Sequence, residues 1–334
     1  MLDIIIPTYK NPEGLRRTLR SIDYITSEIT VTVVSDGDHM ETNYTPIFEE
    51  FPFANLWIQD KNCGPGNARE IGMTATSEPY ITFIDTDDYF FPQMLEKVVA
   101  ELKSNPDFYE YGWHYMNKNK IQSAMKNNHM LSIVYKRSFL EEYDAHFCCD
   151  PFGSYANEDI GFNRYLRIIL RDLEIKQQKK YIKFYNEALA CWTEDDQNSL
   201  TRKDNHIFSY TKNSEGLAVN EIAAIKRAEK YNVNKRLILT ETGTIMAALY
   251  TIFIKTLYAR PEYANVAWNG AKLFYNNIYA RYEQEALYYA RQRFSTKIKE
   301  LREHTQEKPL NIPINIVRFI NDLKTYVEIP KHYI

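Results

Sequence analysis

Asp85, Asp87 and Asp88 stand within four positions of one another, directly after the apolar run Ile81-Thr82-Phe83-Ile84. Carboxylates so close repel each other unless a cation or hydrogen bonds compensate. Hard divalent ions such as Mg2+ or Mn2+ take oxygen ligands, and often bind through one or two carboxylates completed by substrate phosphates. The same letters also write an acidic surface turn, so position must decide between the two. The loop Asn62-Cys63-Gly64-Pro65-Gly66-Asn67-Ala68-Arg69 supplies the complement. Its glycines let backbone approach a ligand, a following helix would aim free amides at an anion, and Arg69 offers a planar charge matched to phosphate. A dinucleotide fingerprint would need Gly at position 69 and a place after the first strand, and both requirements fail. Pro7-Thr8-Tyr9 and Ser35-Asp36-Gly37-Asp38 close two further apolar runs, where polar residues are otherwise turns or helix caps.

The elements around these residues follow from periodicity. Leu2 to Pro7 is a continuous apolar run, as in a strand covered on both faces, and Ile29 to Val34 is β-branched. Leu56 to Ile58 and Tyr80 to Ile84 read as the third and fourth strands. Between them lie helical spacing at Leu15, Leu19 and Ile22, a proline-led helix over 65–75, and a helix over 92–102. Strand–helix alternation predicts a doubly wound, mostly parallel α/β sheet, which binds ligands beyond the carboxyl ends of its strands. All four sets of ligand-type residues sit at such ends. From about Phe108 the pattern turns to strand-like pieces at 109–116, 130–135 and 181–190, with one strong helix over 158–173. After about His206 the chain reads as helical: around Ile222 to Ala228, over 246–257, a Tyr-rich segment over 273–294, and a last helix near 316–326.

In this order, IIIPTYKN, VVSDGD, NCGPGNAR and ITFIDTDD resemble the PTYN, VDDGS, NxGxxxAR and DxD motifs of family 2 glycosyltransferases, which have the GT-A fold. The likeness covers roughly residues 2 to 204. It implies a donor half over 1–110, an acceptor and catalytic half over 111–205, and a helical C-terminal domain over 206–334. It implies that Thr8, Tyr9 and Asp36 contact the donor's base with Arg69 nearby. It assigns the ribose to Asp85 and a metal bridging the diphosphate to Asp87. Pro7, Asn62 and Gly64 join the donor-binding set through the same motifs. One position departs: Ser35 stands where the family has the first Asp of DDGS, which leaves the base identity less determined.

The likeness continues through Val134-Tyr135-Lys136-Arg137-Ser138-Phe139-Leu140, similar to the "yrrsfL" stretch of many relatives, and through Asn157-Glu158-Asp159, similar to the family's ED motif. Spacing bears on the second independently. Asp159, Phe162, Leu166 and Ile169 share one helical stripe, so Asp159 follows the packed face and Glu158 is turned about 100° away. An acid in a first helical turn ionises readily, as a general base must, and it can equally be a cap. The stretch Trp192 to Arg202 resembles the post-catalytic HxxS loop, with Asp196 where relatives often have His. That resemblance implies Ser199 and Arg202 as phosphate contacts; Asp196 is either a further metal ligand or part of a solvated loop. His129 and Glu158 are candidates on the acceptor side, His129 because it precedes the acceptor-side strand.

Composition is that of an ordinary soluble globular chain, 44% hydrophobic and 25% charged, and a net charge of -3 gives no electrostatic reason to expect a polyanion partner. Cys63, Cys148, Cys149 and Cys191 have no zinc or redox spacing and read as reduced thiols. The apolar stretch 245–257 is too short to span a bilayer, and no leader is evident, so the expected compartment is the cytoplasm. The activity implied is metal-dependent, inverting transfer of a sugar from a nucleoside diphosphate, UDP above all, to an acceptor hydroxyl on a glycan or envelope polymer. Two alternatives stand. Tyr275, Tyr279, Tyr282, Tyr288 and Tyr289, interleaved with Lys272, Arg281, Arg291, Arg293 and Lys297, suit stacking on DNA, hence glycosylation of hydroxylated bases. The other is a nucleotide-sugar-binding module without catalysis. The helical C-terminal domain also offers a surface for a homo-oligomer.

Overall fold

The structure, a computed structural model, describes residues 1–105, 107–117, 120–121, 129–147, 158–193, 214–304 and 314–333. It divides into two compact units, one of Met1–Ser154 with Glu174–Lys203 and one of Tyr155–Leu173 with Asp204–Ile334. The helix that opens at Glu158 therefore groups, over most of its length, with the C-terminal helices.

The first unit is built on a nine-stranded mixed sheet of order β3-β2-β1-β4-β8-β6-β9-β5, with β7 paired to β6. Its strands are β1 (Leu2–Thr8), β2 (Ile29–Asp36), β3 (Ala54–Gln59), β4 (Tyr80–Phe83), β5 (Tyr89–Phe90), β6 (Phe108–Asn117), β7 (Lys120–Ile121), β8 (Ile133–Lys136) and β9 (Ile182–Thr193). The β3-β2-β1-β4 half is wholly parallel, as expected of strands joined by helical crossovers. β8 then inserts antiparallel to both β4 and β6, while β6 and β9 pair in parallel. Every residue of β1 is buried, which explains its apolar character; the buried Asp3 within it is paired with Arg137.

Helices α1 (Pro12–Arg20), α2 (Thr45–Glu50), α3 (Pro65–Ala75), α4 (Met94–Leu102) and α5 (Arg137–Glu142) complete this unit. The start of α1 is written locally. Asn11 accepts the Gly14 N–H at 3.0 Å, Pro12 takes the first turn, and Arg17 and Arg20 occupy the last. The expected strand over 130–135 begins late. Residues 130–132 form a 3-10 turn because His129 Nδ1 and carbonyl take the Leu131 and Ser132 N–H groups. α2, α5 and β5 have no counterpart in the sequence reading, being short and weakly patterned. Arg137, in the stretch resembling "yrrsfL", proves to be an anchor at the other end of the sheet. Its guanidinium donates to the buried Asp3 at 2.7 Å, to the Glu78 and Met73 carbonyls at 2.7 and 2.8 Å, and to Thr76 Oγ1 at 2.8 Å.

The second unit holds most of α6 (Glu158–Gln177), with α7 (Ser214–Lys230), α8 (Lys235–Ala259), α9 (Ala264–Asn277), α10 (Glu283–His304) and α11 (Ile316–Thr325). The Tyr-rich segment expected over 273–294 is broken between α9 and α10. Asn277 turns its side chain onto the Leu273 carbonyl at 3.0 Å, and a 3-10 turn, Tyr279–Arg281, follows. The core is aromatic: Tyr250 and Phe319 stack with centroids 4.3 Å apart, beside Phe253, Trp268 and Tyr333. α8 is 25 residues long and apolar enough to cross a membrane by length and composition, longer than the run read from sequence; 72% of its most apolar window is buried inside the unit, as in a core helix. Half of the ten residues that suggested a stacking surface are used internally, while Tyr288, Arg291 and Arg293 are exposed. Tyr275 and Tyr279 are 5% and 0% exposed, Tyr282 and Arg281 bond Glu229, and Lys272 donates to the Leu323 and Tyr326 carbonyls at the end of α11.

Candidate functional site

Two buried acids organise the strand ends of the first unit. Asp36, the last residue of β2, is 3% exposed. Its Oδ1 accepts from Gln59 Nε2 at 2.6 Å and the Cys63 N–H at 2.8 Å, and its Oδ2 accepts the Gly64 N–H at 2.9 Å. Burial pushes this carboxyl above its ordinary range, against the pull of the two backbone amides. Gln59 extends the tie by donating to the Lys61 carbonyl and accepting from Asn67 Nδ2, each at 2.7 Å. Gly37 is required here: its φ is +76°, and a Cβ would lie 2.1 Å from the Lys61 carbonyl carbon. The loops after β2 and β3 thus meet backbone to backbone.

Asp38, which the sequence reading did not single out, is fully buried. Its Oδ1 accepts from Ser35 Oγ, and its Oδ2 from the Lys10 N–H and Tyr44 OH, all at 2.6 Å. Burial acts to raise its carboxyl, but these donors together with Thr42 outweigh burial and hold it below the ordinary value. Only the hydrogen-bond network reveals this residue; its type and spacing match an ordinary turn.

The Asp85–Asp88 turn closes through the Asp88 N–H on the Asp85 carbonyl at 3.0 Å and resolves into distinct members. Asp85 receives Arg69 Nη2 on Oδ1 at 2.6 Å; its side chain is 37% exposed, that of Arg69 only 3%. Arg69 lies on the buried side of α3, with Phe147 5.5 Å from its guanidinium. It orients Asp85, where the sequence suggested a guanidinium displayed for phosphate. Asp88 is fully buried and accepts the Thr193 N–H at 2.9 Å, while Thr193 Oγ1 donates to the Asp87 carbonyl at 2.5 Å. It is a structural tie between the turn and the end of β9. Asp87 is half-buried. The α1 helix supports the turn from below: Thr18 Oγ1 donates to the Asp88 carbonyl at 2.7 Å, and a Cβ on Gly14 would sit 2.3 Å from the Thr86 carbonyl oxygen.

His129 belongs to the same cluster. Antiparallel pairing of Thr82 with Val134 brings the residues before β8 beside those after β4. Its Nδ1 accepts the Leu131 N–H at 3.4 Å, which leaves the ring proton on Nε2. Burial, joined by the charge of Arg69 and partly opposed by Asp85, pushes the imidazole down to about 4, so it is neutral at physiological pH. The folded value lies below the ordinary 6.5, so protons favour the unfolded chain: this contribution is complete above 6.5 and is lost as pH falls toward 4. Melting curves should therefore decline more steeply over that interval for the unaltered protein than for His129→Gln, by at most about 3 kcal/mol at ~1.4 kcal/mol per pH unit. Superimposable pH profiles would contradict this placement.

Thr8 is buried, with Oγ1 3.3 Å from Tyr44 OH, while Tyr9 is 41% exposed just beyond it. Pro7 and Gly64 are buried and Asn62 is exposed. In the second unit, Glu158 and Asp159 occupy the first turn of α6. The stripe Phe162, Leu166 and Ile169 is buried as expected, and Asp159 is half-buried. Glu158, expected to turn away from the packing, is only 5% exposed, because buried positions wrap most of this helix. Asp196, Ser199, Arg202, Cys148, Cys149 and Asn157 lie outside the described residues. Among the described residues, no three His, Cys, Asp or Glu side chains gather into a metal cage.

Residues 3–160 match the sequence model of glycosyl transferase family 2. Glycosyltransferase GlyA of Streptococcus pneumoniae serotype 4 is 30% identical over 109 residues, 31% of this chain and 16% of that protein. An uncharacterized glycosyltransferase of Haemophilus influenzae is 27% identical over 107 residues, 32% of this chain and 36% of that protein. The matched stretch is thus less than half of either relative. Among solved structures, S. aureus TarS 1-349 in complex with UDP-GlcNAc superposes with a TM-score of 0.59 at 16% identity, over 92% of this chain and 91% of that one. That likeness shows a shared GT-A fold over nearly the whole length. Residues 3–160, which contain the acids at the ends of β2 and β4, are thus the part of this chain that matches glycosyl transferase family 2.

Proposed function

We propose that this protein is an inverting glycosyltransferase that moves a sugar from a UDP-linked donor to an acceptor hydroxyl on a glycan or envelope polymer. The observation that carries the reading is the Arg69–Asp85 pair set among strand ends that Asp36 and Asp38 tie together, inside the sequence match to the family. A rigid, half-exposed carboxylate at a parallel sheet's carboxyl ends suits a ribose, and Tyr9 and Asp36 beside it suit a base. The UDP-GlcNAc held by TarS, which shares the fold, supports uracil as that base.

Mg2+ or Mn2+ completes the proposal. Both accept one or two carboxylates when a diphosphate and water fill the other positions, so a protein cage is not needed. Asp87, half-buried in the turn that resembles the family's DxD motif, is the ligand proposed, with Asp196 as the second. The cation, when bound, offsets charge on the departing nucleoside diphosphate. Asp159 removes the proton from the acceptor hydroxyl as its oxygen attacks the anomeric carbon. The bond from that carbon to the phosphate oxygen breaks with its electron pair leaving on UDP, and the configuration inverts. Ser199 and Arg202 are proposed to contact the phosphates and Glu158 to lie on the acceptor side; the cytoplasm is the proposed compartment.

Calorimetric titration of UDP, UDP-sugars and ADP, each with and without Mn2+, tests the reading. UDP should bind in preference to ADP, and Mn2+ should tighten it. Asp87→Ala should abolish the Mn2+ increment and leave the metal-free affinity. A protein that binds no UDP species under any of these conditions is not the enzyme described.

A further inference from the structure

Ser35 and Asp38 are both fully buried and share a hydrogen bond of 2.6 Å. Relative to VDDGS, acid and hydroxyl have exchanged places at positions 35 and 38 of VVSDGD. In this chain the two positions are joined by a bond whose donor is the hydroxyl at 35 and whose acceptor is the acid at 38. What the exchange adds is a carboxylate at 38, and that carboxylate reaches another strand end. It accepts the Lys10 N–H at 2.6 Å, and Lys10 has a φ of 51°, a left-handed conformation costly for a residue with a side chain. Lys10 is where the chain leaves β1, turning from the half-exposed Tyr9 into Asn11, the cap of α1. Tyr44 OH joins the same carboxylate at 2.6 Å and approaches Thr8 Oγ1 at 3.3 Å. One buried acid thus closes a ring through Thr8, Lys10, Ser35 and Tyr44.

We infer that Asp38 is a positioning residue that sets the Thr8–Lys10 turn, and with it Tyr9, for recognition of the donor's base. The inference rests on the donor-site reading above. It makes the departure at position 35 a compensated exchange: the acid that position 35 lacks is supplied from position 38. An acid restored at 35 alone would place two carboxylates within hydrogen-bond distance in a buried site, which is unfavourable.

The test compares UDP and ADP binding by calorimetry, with melting curves, for the unaltered protein, Asp38→Ser, Ser35→Asp and the double exchange Ser35→Asp/Asp38→Ser. Asp38→Ser should weaken UDP about tenfold or more, as for one lost hydrogen bond to a charged group, and should shrink the preference for UDP over ADP. Ser35→Asp should weaken UDP as well, and the double exchange should return it to within about threefold of the unaltered protein. A role in folding alone would lower both nucleotides together and leave their ratio unchanged. If Asp38→Ser does not fold, Asp38→Asn, which keeps the shape but cannot accept from all the same donors, should still narrow the ratio. An unchanged UDP preference in the serine or asparagine variant, or a double exchange no better than the worse single change, overturns the inference. Loss of UDP binding in the unaltered protein would instead overturn the donor-site reading beneath it.

Discussion

Asp159→Asn is expected to lower kcat about a thousandfold while leaving the KM for the UDP-sugar within a factor of two. The size follows from general-base catalysis, worth roughly 10²–10⁴ in rate. Its selectivity follows from where the residues lie. The proposed donor contacts belong to the first compact unit, whereas Asp159 stands in the first turn of α6, grouped with the second. Asparagine keeps the size and the helix-start preference of aspartate, so the fold has little reason to change. The measurement is UDP release at saturating donor, with and without acceptor, alongside a direct UDP titration. A variant retaining more than about a tenth of kcat would remove Asp159 from the role of base. A matched loss of UDP affinity would mean that it acts on binding.

Arg164→Met is expected to be the most destabilising single change among the surface-to-core positions of α6, costing about 3–5 kcal/mol. Arg164 Nε and Nη2 donate to the two oxygens of Glu221 at 2.8 Å, and Nη1 donates to Glu241 at 2.5 Å. Glu221 is 3% exposed; burial works against its ionisation, and Arg164 is the first group opposing that. Methionine leaves two buried acids facing each other without the cation. Arg171, 2.9 Å from Glu241 but half-exposed, replaces only part of that charge. Melting should shift down by on the order of 10 °C in the transition that reports the helical unit. The triple change Arg164→Met/Glu221→Gln/Glu241→Gln should recover much of the loss, because it removes the uncompensated charges along with the pair. An equal loss in the single and triple variants would show that packing, not charge, is what Arg164 contributes. Because α6 carries Asp159, kcat should fall in the single variant at temperatures where UDP affinity is still intact.

Much of this was legible in the chain itself, because it is written by local rules. The runs read as strands at 2–7, 29–34 and 80–84 became parallel strands, and the proline at 65 opened its helix where expected. Ligand-type residues at successive strand ends marked the site, since a parallel sheet exposes those ends together. The family resemblance added roles to positions that spacing could only make eligible.

What sequence could not supply were relations between residues far apart in the chain. Asp85, Asp87 and Asp88 are indistinguishable by type. The resemblance gave roles to two of them, but their environments differ because Arg69 reaches one, and the Thr193 amide, 105 residues beyond, reaches another. Asp38 looked like any turn acid until the Lys10 amide came within 2.6 Å. The tyrosines of 275–282 read as part of a stacking surface by composition, but helix packing buried Tyr279 and tied Tyr275 and Tyr282 to Glu283 and Glu229. Short-range propensity decides which elements form and where polar ends gather. Which of several like side chains is desolvated, paired or left accessible is decided by tertiary contacts, and it is those environments that set charge and chemistry.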